Sequence, residues 1–288
     1  MQFGHQMDKT KVQSVLPGLY LVSTPIGNME DITLRALNIL KKSDIILCED
    51  TRRSGKLLSH FKIESKLLAY HKFNEKQVSS KIINFIKQNK IVSLVTDSGT
   101  PTISDPGMIL VRQCIEENLK IYPVPGPSAV TTAMSASGFS DQYIFYGFLP
   151  KKENQADNIL KKLSHFNYSI VLFIPATKIN FYMLKFKKYF FDRKIVIAKE
   201  MTKIYEEFIR GEVDSIEKLD IYLKGELTIV FSEKSISKKN KNIISESVKI
   251  EIRKMLKKYS HKDVVDFISK KEKLSKKVIY NFCLKLKK

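Results

Sequence analysis

Ile91-Val92-Ser93-Leu94-Val95-Thr96 runs without a charge into Asp97-Ser98-Gly99-Thr100-Pro101, and no periodic pattern resumes until Met108. A short apolar run that ends abruptly in Gly and Pro reads as a buried strand, and the loop after such a strand is where open α/β folds hold ligands. Gly99 lets the backbone approach a bound molecule closely, and Pro101 stiffens the turn. Ser104-Asp105-Pro106-Gly107 carries the loop into a helix expected over 108–117. Taken alone, each half of this loop is ordinary turn chemistry. Nothing in it matches G-x-G-x-x-G or G-x-x-x-x-G-K-[ST], so neither a dinucleotide fingerprint nor a phosphate-gripping lysine loop is expected.

Outward from this segment, short apolar runs alternate with amphipathic stretches, the pattern of βα units on a largely parallel sheet. Toward the N-terminus, strands are expected at 18–23, 45–48 and 67–70, with helices through Leu34, Leu37 and Leu40, near 55–60 and over 75–88; Asp31 is read as the cap of the first helix. Toward the C-terminus, a strand at 120–124 ends in Pro125-Gly126-Pro127, which reads as a domain joint. Strands near 143–146, 169–174, 194–198, 206–210 and 227–231 follow, and are expected to form a smaller, less regular mixed sheet. Residues 1–14 read as a flexible leader, 15–126 and 127–237 as two α/β domains, and 238–288 as a linker and a basic helical appendix capped at Leu274-Ser275. A parallel first sheet would bring the loops around Pro25, Gly99 and Gly126 to one edge. Glu49-Asp50-Thr51-Arg52-Arg53 would lie there too, offering carboxylates as bases or acceptors and arginines for phosphate. The competing reading of those five residues is a solvated, salt-bridged helix start.

The 288 residues carry 50 Lys and Arg against 30 Asp and Glu, a net charge of +20. That field attracts a polyanion such as nucleic acid, although a lysine-rich composition bias would give the same number. The hydrophobic content of 43% is that of a globular chain, and no apolar run approaches the ~20 residues of a membrane-spanning helix. The first residues lack the apolar core of a signal peptide, so a cytoplasmic protein is expected. Cys48, Cys114 and Cys283 stand singly in apolar surroundings and read as reduced core thiols. The five histidines are scattered, and no metal site is expected.

At its loops the sequence resembles the tetrapyrrole-methylase superfamily and, within it, the bacterial 16S rRNA (cytidine-2′-O)-methyltransferase family. The resemblance is carried by residues 19–28 (LYLVSTPIGN), 49–52 (EDTR), 97–107 (DSGTPTISDPG), 125–128 (PGPS), 147–150 (GFLP), 199–203 (KEMTK) and 224–226 (KGE), and it spans Gly18 to about Phe231. It implies a two-domain α/β fold with S-adenosylmethionine held between the domains, usually in a homodimer, with no metal. By position in the family pattern the cofactor would meet Pro25, Asp97, Ser98, Gly99, Thr100, Ile103, Ser128 and Ala129, and from the second domain Ile174, Ala198 and Thr228. One departure stands out. Where the family usually shows F-Y-E-S-x-[HK]-R, this chain has Phe173-Ile174-Pro175-Ala176-Thr177-Lys178-Ile179, without the glutamate and arginine.

The reaction the resemblance implies is 2′-O-methylation of a cytidine ribose in 16S rRNA, on free rRNA or on the small ribosomal subunit. The protein would have to align the acceptor oxygen, methyl carbon and sulfur and remove a hydroxyl proton. Candidate bases are Glu49, Asp50, Asp97 and Glu200, with Lys199 as a helper. Glu49 and Asp50 rank first, because their strand-end loop should line the substrate side, whereas Asp97 more naturally holds the cofactor loop. Arg52, Arg53, Lys276 and Lys277 are candidate RNA contacts. Two other readings remain at this point: a methylase of small tetrapyrroles, and an RNA-binding factor without catalysis.

Overall fold

The computed structural model describes residues 14–217, 219, 225–235, 244, 246–256, 259–272 and 274–286. The expected leader, apart from Ser14, and most of the expected linker lie outside these residues. Five strands, β1 (Gly18–Val22), β2 (Ile45–Cys48), β3 (Lys66–Ala69), β4 (Ile91–Leu94) and β5 (Ile121–Val124), form a sheet in the order β3-β2-β4-β1-β5, and every pairing is parallel. β2 is buried at all four positions, as a strand covered on both faces must be. Helices α1 (Leu34–Lys42) and α2 (Thr51–His60) help bury one face with Ile39, Leu40, Leu57 and Leu58. On the other face α3 (Glu75–Lys87) and α4 (Met108–Glu116) bury Ile82, Ile86, Leu110 and Cys114.

Two local expectations need correction. The cap of α1 is Thr33, whose hydroxyl accepts from Ala36 N, because Met29–Asp31 close a separate 3-10 turn that uses up Asp31. Helix α2 begins four residues before the expected start, because Asp50 accepts from Arg52 N and supplies the cap.

After β5, helix α5 (Ala129–Ser137) packs Val130, Ala133 and Met134 against Val171, Val196, Ala198 and Val230 of the second sheet. That sheet holds β6 (Tyr143–Phe148), β7 (Ser169–Pro175), β8 (Lys194–Lys199), β9 (Glu207–Glu212) and β10 (Glu226–Phe231), in the order β6-β7-β10-β8-β9. Only β6 and β7 pair in parallel. It is mixed, as expected, but not smaller: it also has five strands, and they are six or seven residues long. Helices α6 (Glu153–Ser164) and α7 (Ile179–Tyr189) cover its far face.

One cation sits in that core without a carboxylate. Arg193 is fully buried and donates to the carbonyls of Phe166, Tyr168 and Ser232, stitching the entry of β7 to the exit of β10. Burial lowers its pKa. The three terminal helices, α8 (Glu246–Met255), α9 (His261–Glu272) and α10 (Lys276–Lys285), enclose a core of their own around Val248, Ile252, Val264, Ile268, Ile279 and Cys283.

All three cysteines are buried and unpaired. Burial raises the Cys48 thiol and pushes Cys114 up to about 11, so both are protonated core groups at neutral pH.

Candidate active site

The ends of β1, β2, β4 and β5 bring their loops to one edge. Thr24 and Gly99 exchange two backbone hydrogen bonds, 2.9 and 3.1 Å, which lock the loop after β1 to the loop after β4. Side chains tighten the same knot: Thr24 Oγ1 donates to Thr96 O at 3.0 Å, Ser23 and Thr100 hydroxyls meet at 3.0 Å, and Thr100 donates to Pro127 O at 3.2 Å. Gly99 adopts a φ of +85°, a conformation that disfavours any side chain.

The second lobe closes against this edge through a clasp. At Gly27 an added Cβ would lie 2.6 Å from Thr202 Oγ1, 2.6 Å from Lys203 Cγ and 2.7 Å from Met201 O. The turn of residues 201–203 thus packs directly on a backbone with no side chain. Asn28 N donates to Thr202 Oγ1 at 2.9 Å, and Glu206 accepts from Thr202 N.

Between the lobes lies a cleft of about 970 Å³. Of the residues expected at the site, it is lined by Glu49, Arg53, Asp97, Ser98, Gly99, Thr100, Ile103, Ser128, Ala129, Ala198, Glu200 and Thr228. Others lie elsewhere. Asp50 caps α2 and pairs with Arg52 at 2.8 Å, which holds its carboxyl well below the usual range; these two residues thus form a salt-bridged helix start. Lys199 pairs with Glu207 across β8 and β9 at 3.0 Å. Pro25 stands beside the cleft lining rather than in it. Ile174 is buried in the core under α6 and α7, and its neighbour Phe173 faces the cleft, as strand alternation requires. Lys276 and Lys277 begin α10 in the terminal appendix, where Lys276 pairs with Asp266 at 2.6 Å.

The structure adds residues that sequence reading did not single out: Lys72, Thr96, Asp105, Phe148, Phe173, Met201 and Glu226. Asp105 was visible in the quoted loop, but nothing in the sequence showed that its carboxyl would meet others. Burial, then Glu49, Glu226 and Asp97, push it up to about 6, against the pull of the Thr96 hydroxyl. Glu226 is exposed at the cleft wall yet crowded by protein atoms. That desolvation, aided by Glu49 and opposed by Arg53, raises its carboxyl as well. Asp97 is committed elsewhere, pairing with Arg53 at 3.2 Å and accepting from Asp50 N at 3.3 Å, so it ties two strand-end loops together. The chain's departure at Pro175 falls opposite Glu226 in the pairing of β7 with β10, leaving one carboxylate at that point of the wall.

Residues 18–217 match the tetrapyrrole (corrin/porphyrin) methylases, about two thirds of the chain. The chain belongs to this family. A ribosomal RNA small subunit methyltransferase I from Rickettsia prowazekii is 42% identical over 278 residues, covering 94% of this chain and 97% of that protein. One of the same name from Thermotoga maritima is 42% identical over 221 residues, covering 75% of this chain and 98% of the relative. Among solved structures, a cobalt precorrin-4 methyltransferase superposes with a TM-score of 0.56 at 20% identity, covering 74% of this chain and 94% of that one. At that identity the likeness shows the fold.

As a methylase of this family the chain uses S-adenosylmethionine, and the cleft suits it. The volume is that of a small-molecule site, its hydroxyls and backbone come from strand-end loops, and its apolar wall is built by Ile26, Val130, Phe173, Ala198 and Met201. Carboxylates at Glu49, Asp97 and Glu200 complement a cation.

Proposed function

We propose that this methylase transfers a methyl group to the 2′-hydroxyl of a cytidine in 16S rRNA of the small ribosomal subunit. The observation that carries the reading is a cofactor-sized cleft built by both lobes, in a chain 42% identical over nearly its whole length to a small-subunit rRNA methyltransferase. The net charge of +20 supports an RNA substrate over a small tetrapyrrole. The cofactor supplies an activated methyl group. The chain's own residues do the rest: Ser98, Gly99, Thr100, Ile103, Ser128, Ala129, Ala198 and Thr228 hold it from two sides, and Glu49 and Glu200 face the space left for the acceptor. Arg53 is the cleft's own phosphate contact. Arg52 and the lysines of α10, Lys276 and Lys277, extend a basic surface away from it. A homodimer in the cytoplasm completes the reading, and sedimentation tests the dimer.

The deciding experiment incubates purified protein with isotopically labelled S-adenosylmethionine and unmethylated small subunits, then maps the label by mass spectrometry. Label on a cytidine ribose is expected. Label on a base, or transfer only to a uroporphyrinogen-type acceptor, refutes the assignment.

A further inference from the structure

We propose that Asp105 is the catalytic residue that takes the proton from the acceptor hydroxyl, with Glu226, from the opposite lobe, acting on it as a like-charged positioning residue. The inference rests on the ribose reading above and names the base within that site. Of the four other carboxylates lining the cleft, Glu49 and Glu226 have no ion pair among the described residues, whereas Asp97 and Glu200, like Asp50 outside the lining, are already engaged. Asp97 holds Arg53, Glu200 holds Lys203 at 2.9 Å, and Asp50 holds Arg52. A carboxylate in an ion pair gives up that partner when it accepts a proton. Among the described residues Asp105 has no ion pair, and its neighbours in the cleft are Glu49, Asp97 and Glu226 with Arg53, Lys72 and Lys203 further along the lining.

The loop bearing Asp105 is held in one shape from both sides. Gly99 is locked to Thr24, and Gly107 N donates to Glu75 at 3.4 Å. Thr102 and Ser104 each adopt a φ of +70°, and from the second lobe an added Cβ on Gly147 would lie 2.5 Å from Ser104 Oγ. Non-glycine residues persist in the left-handed region only where surroundings over-determine them, and such strain gathers at functional sites. Behind it the buried Thr96 hydroxyl lies against the Asp105 carboxyl and favours its ionised form, which leaves the carboxylate facing the cleft. A substrate hydroxyl in the cleft could then meet Asp105 directly.

The step balances without a further reagent. The acceptor oxygen bonds the methyl carbon, the carbon–sulfur bond breaks with its electron pair staying on sulfur, and the hydroxyl proton passes to an Asp105 carboxylate oxygen. A base with a pKa near 6 is ionised at neutral pH and a stronger acceptor than an ordinary carboxylate. Burial is the largest cause of that value, and the two lobes add to it together, since Glu49 and Asp97 come from one and Glu226 from the other.

The test measures single-turnover ribose methylation of small subunits against pH for the full chain and for D105N, D105E and E226Q, with calorimetric titration of S-adenosylmethionine on each. D105N is expected to lower the chemical rate by about 10²–10⁴-fold and abolish the acid limb near pH 6, while D105E recovers part of the rate. E226Q removes a neighbouring negative charge, so its acid limb should move to lower pH with a smaller loss of rate at pH 8. A rate within about threefold of the parent in D105N overturns the proposal, as does a loss explained wholly by weaker cofactor binding. An acid limb unmoved in E226Q overturns the role of Glu226. Methyl transfer to a base by the parent protein overturns the ribose reading and this inference together, whereas ribose transfer indifferent to Asp105 overturns this inference alone.

Discussion

The two sheets contain five strands each but deliver residues to the cleft in opposite ways. In the first, all strands run one way, so every loop after a strand reaches the same edge. In the second, β10 runs against β7 and β8, so the cleft receives the ends of β6, β7 and β8 but the beginning of β10. A parallel sheet advertises its functional edge to anyone who can find its strands. A mixed sheet hides half of that edge at strand starts, where Glu226 sits.

The largest effect separating the sheets should come from Arg193. In R193M the buried Ser232 carbonyl and the partly buried Phe166 and Tyr168 carbonyls lose their donor, at about 1–3 kcal/mol for each group left unsatisfied, so the variant should lose roughly 3–5 kcal/mol of stability in denaturant titration. In the first sheet, S93A removes one buried hydroxyl pair with Ser43, 2.6 Å long, and should cost about 1 kcal/mol. Equal losses would break the contrast.

Next come the glycines where the lobes meet the cofactor. G27V drives a branched side chain into the clasp at Thr202 and Lys203, and G99V forces a β-branched residue to a φ of +85° inside the cleft. Each should weaken S-adenosylmethionine binding by at least about tenfold, roughly 1.4 kcal/mol, in a variant that still folds. For Gly99 the backbone conformation carries the effect, because an added Cβ itself meets nothing closer than Ile26 Cγ2 at 3.5 Å. Unchanged affinity by calorimetry in folded G99V would remove that loop from the cofactor site.

The smallest effect on the cleft should come from ending the chain at Ser237. The terminal helices have their own core, and the Thermotoga maritima relative matches over 98% of its length using 75% of this chain. Cofactor affinity should therefore stay within about twofold. Binding to rRNA should weaken and its log affinity should depend less steeply on log salt, as lost lysines release fewer counterions. A full-length salt slope in the truncated protein would assign the RNA contact to the two lobes.

The same contrast explains what could be read from the chain. Strands β1, β2 and β4 were legible as apolar runs, and the loops at Gly99 and Glu49 followed from them. Phe173 was missed by one residue in favour of Ile174, because β7 is apolar throughout and only the fold decides which alternate side chain faces helix α7 and which the cleft. The capping role of Asp50 was not legible, because a helix cap and a catalytic carboxylate look alike in sequence. The value of Asp105 depends first on its burial and then on charges contributed from positions 49, 97 and 226, a meeting that no local pattern encodes.

The clasp at Gly27 also sets a schedule. Asn28 waits for Thr202, 174 residues further along the chain. At a synthesis rate of about 5–20 residues per second, the first lobe, complete near residue 126, would emerge roughly 4–15 s before the turn that completes its pocket. During that interval the nascent protein has its glycine loops but half a cavity, so cofactor capture marks the completion of the second lobe rather than assisting the first.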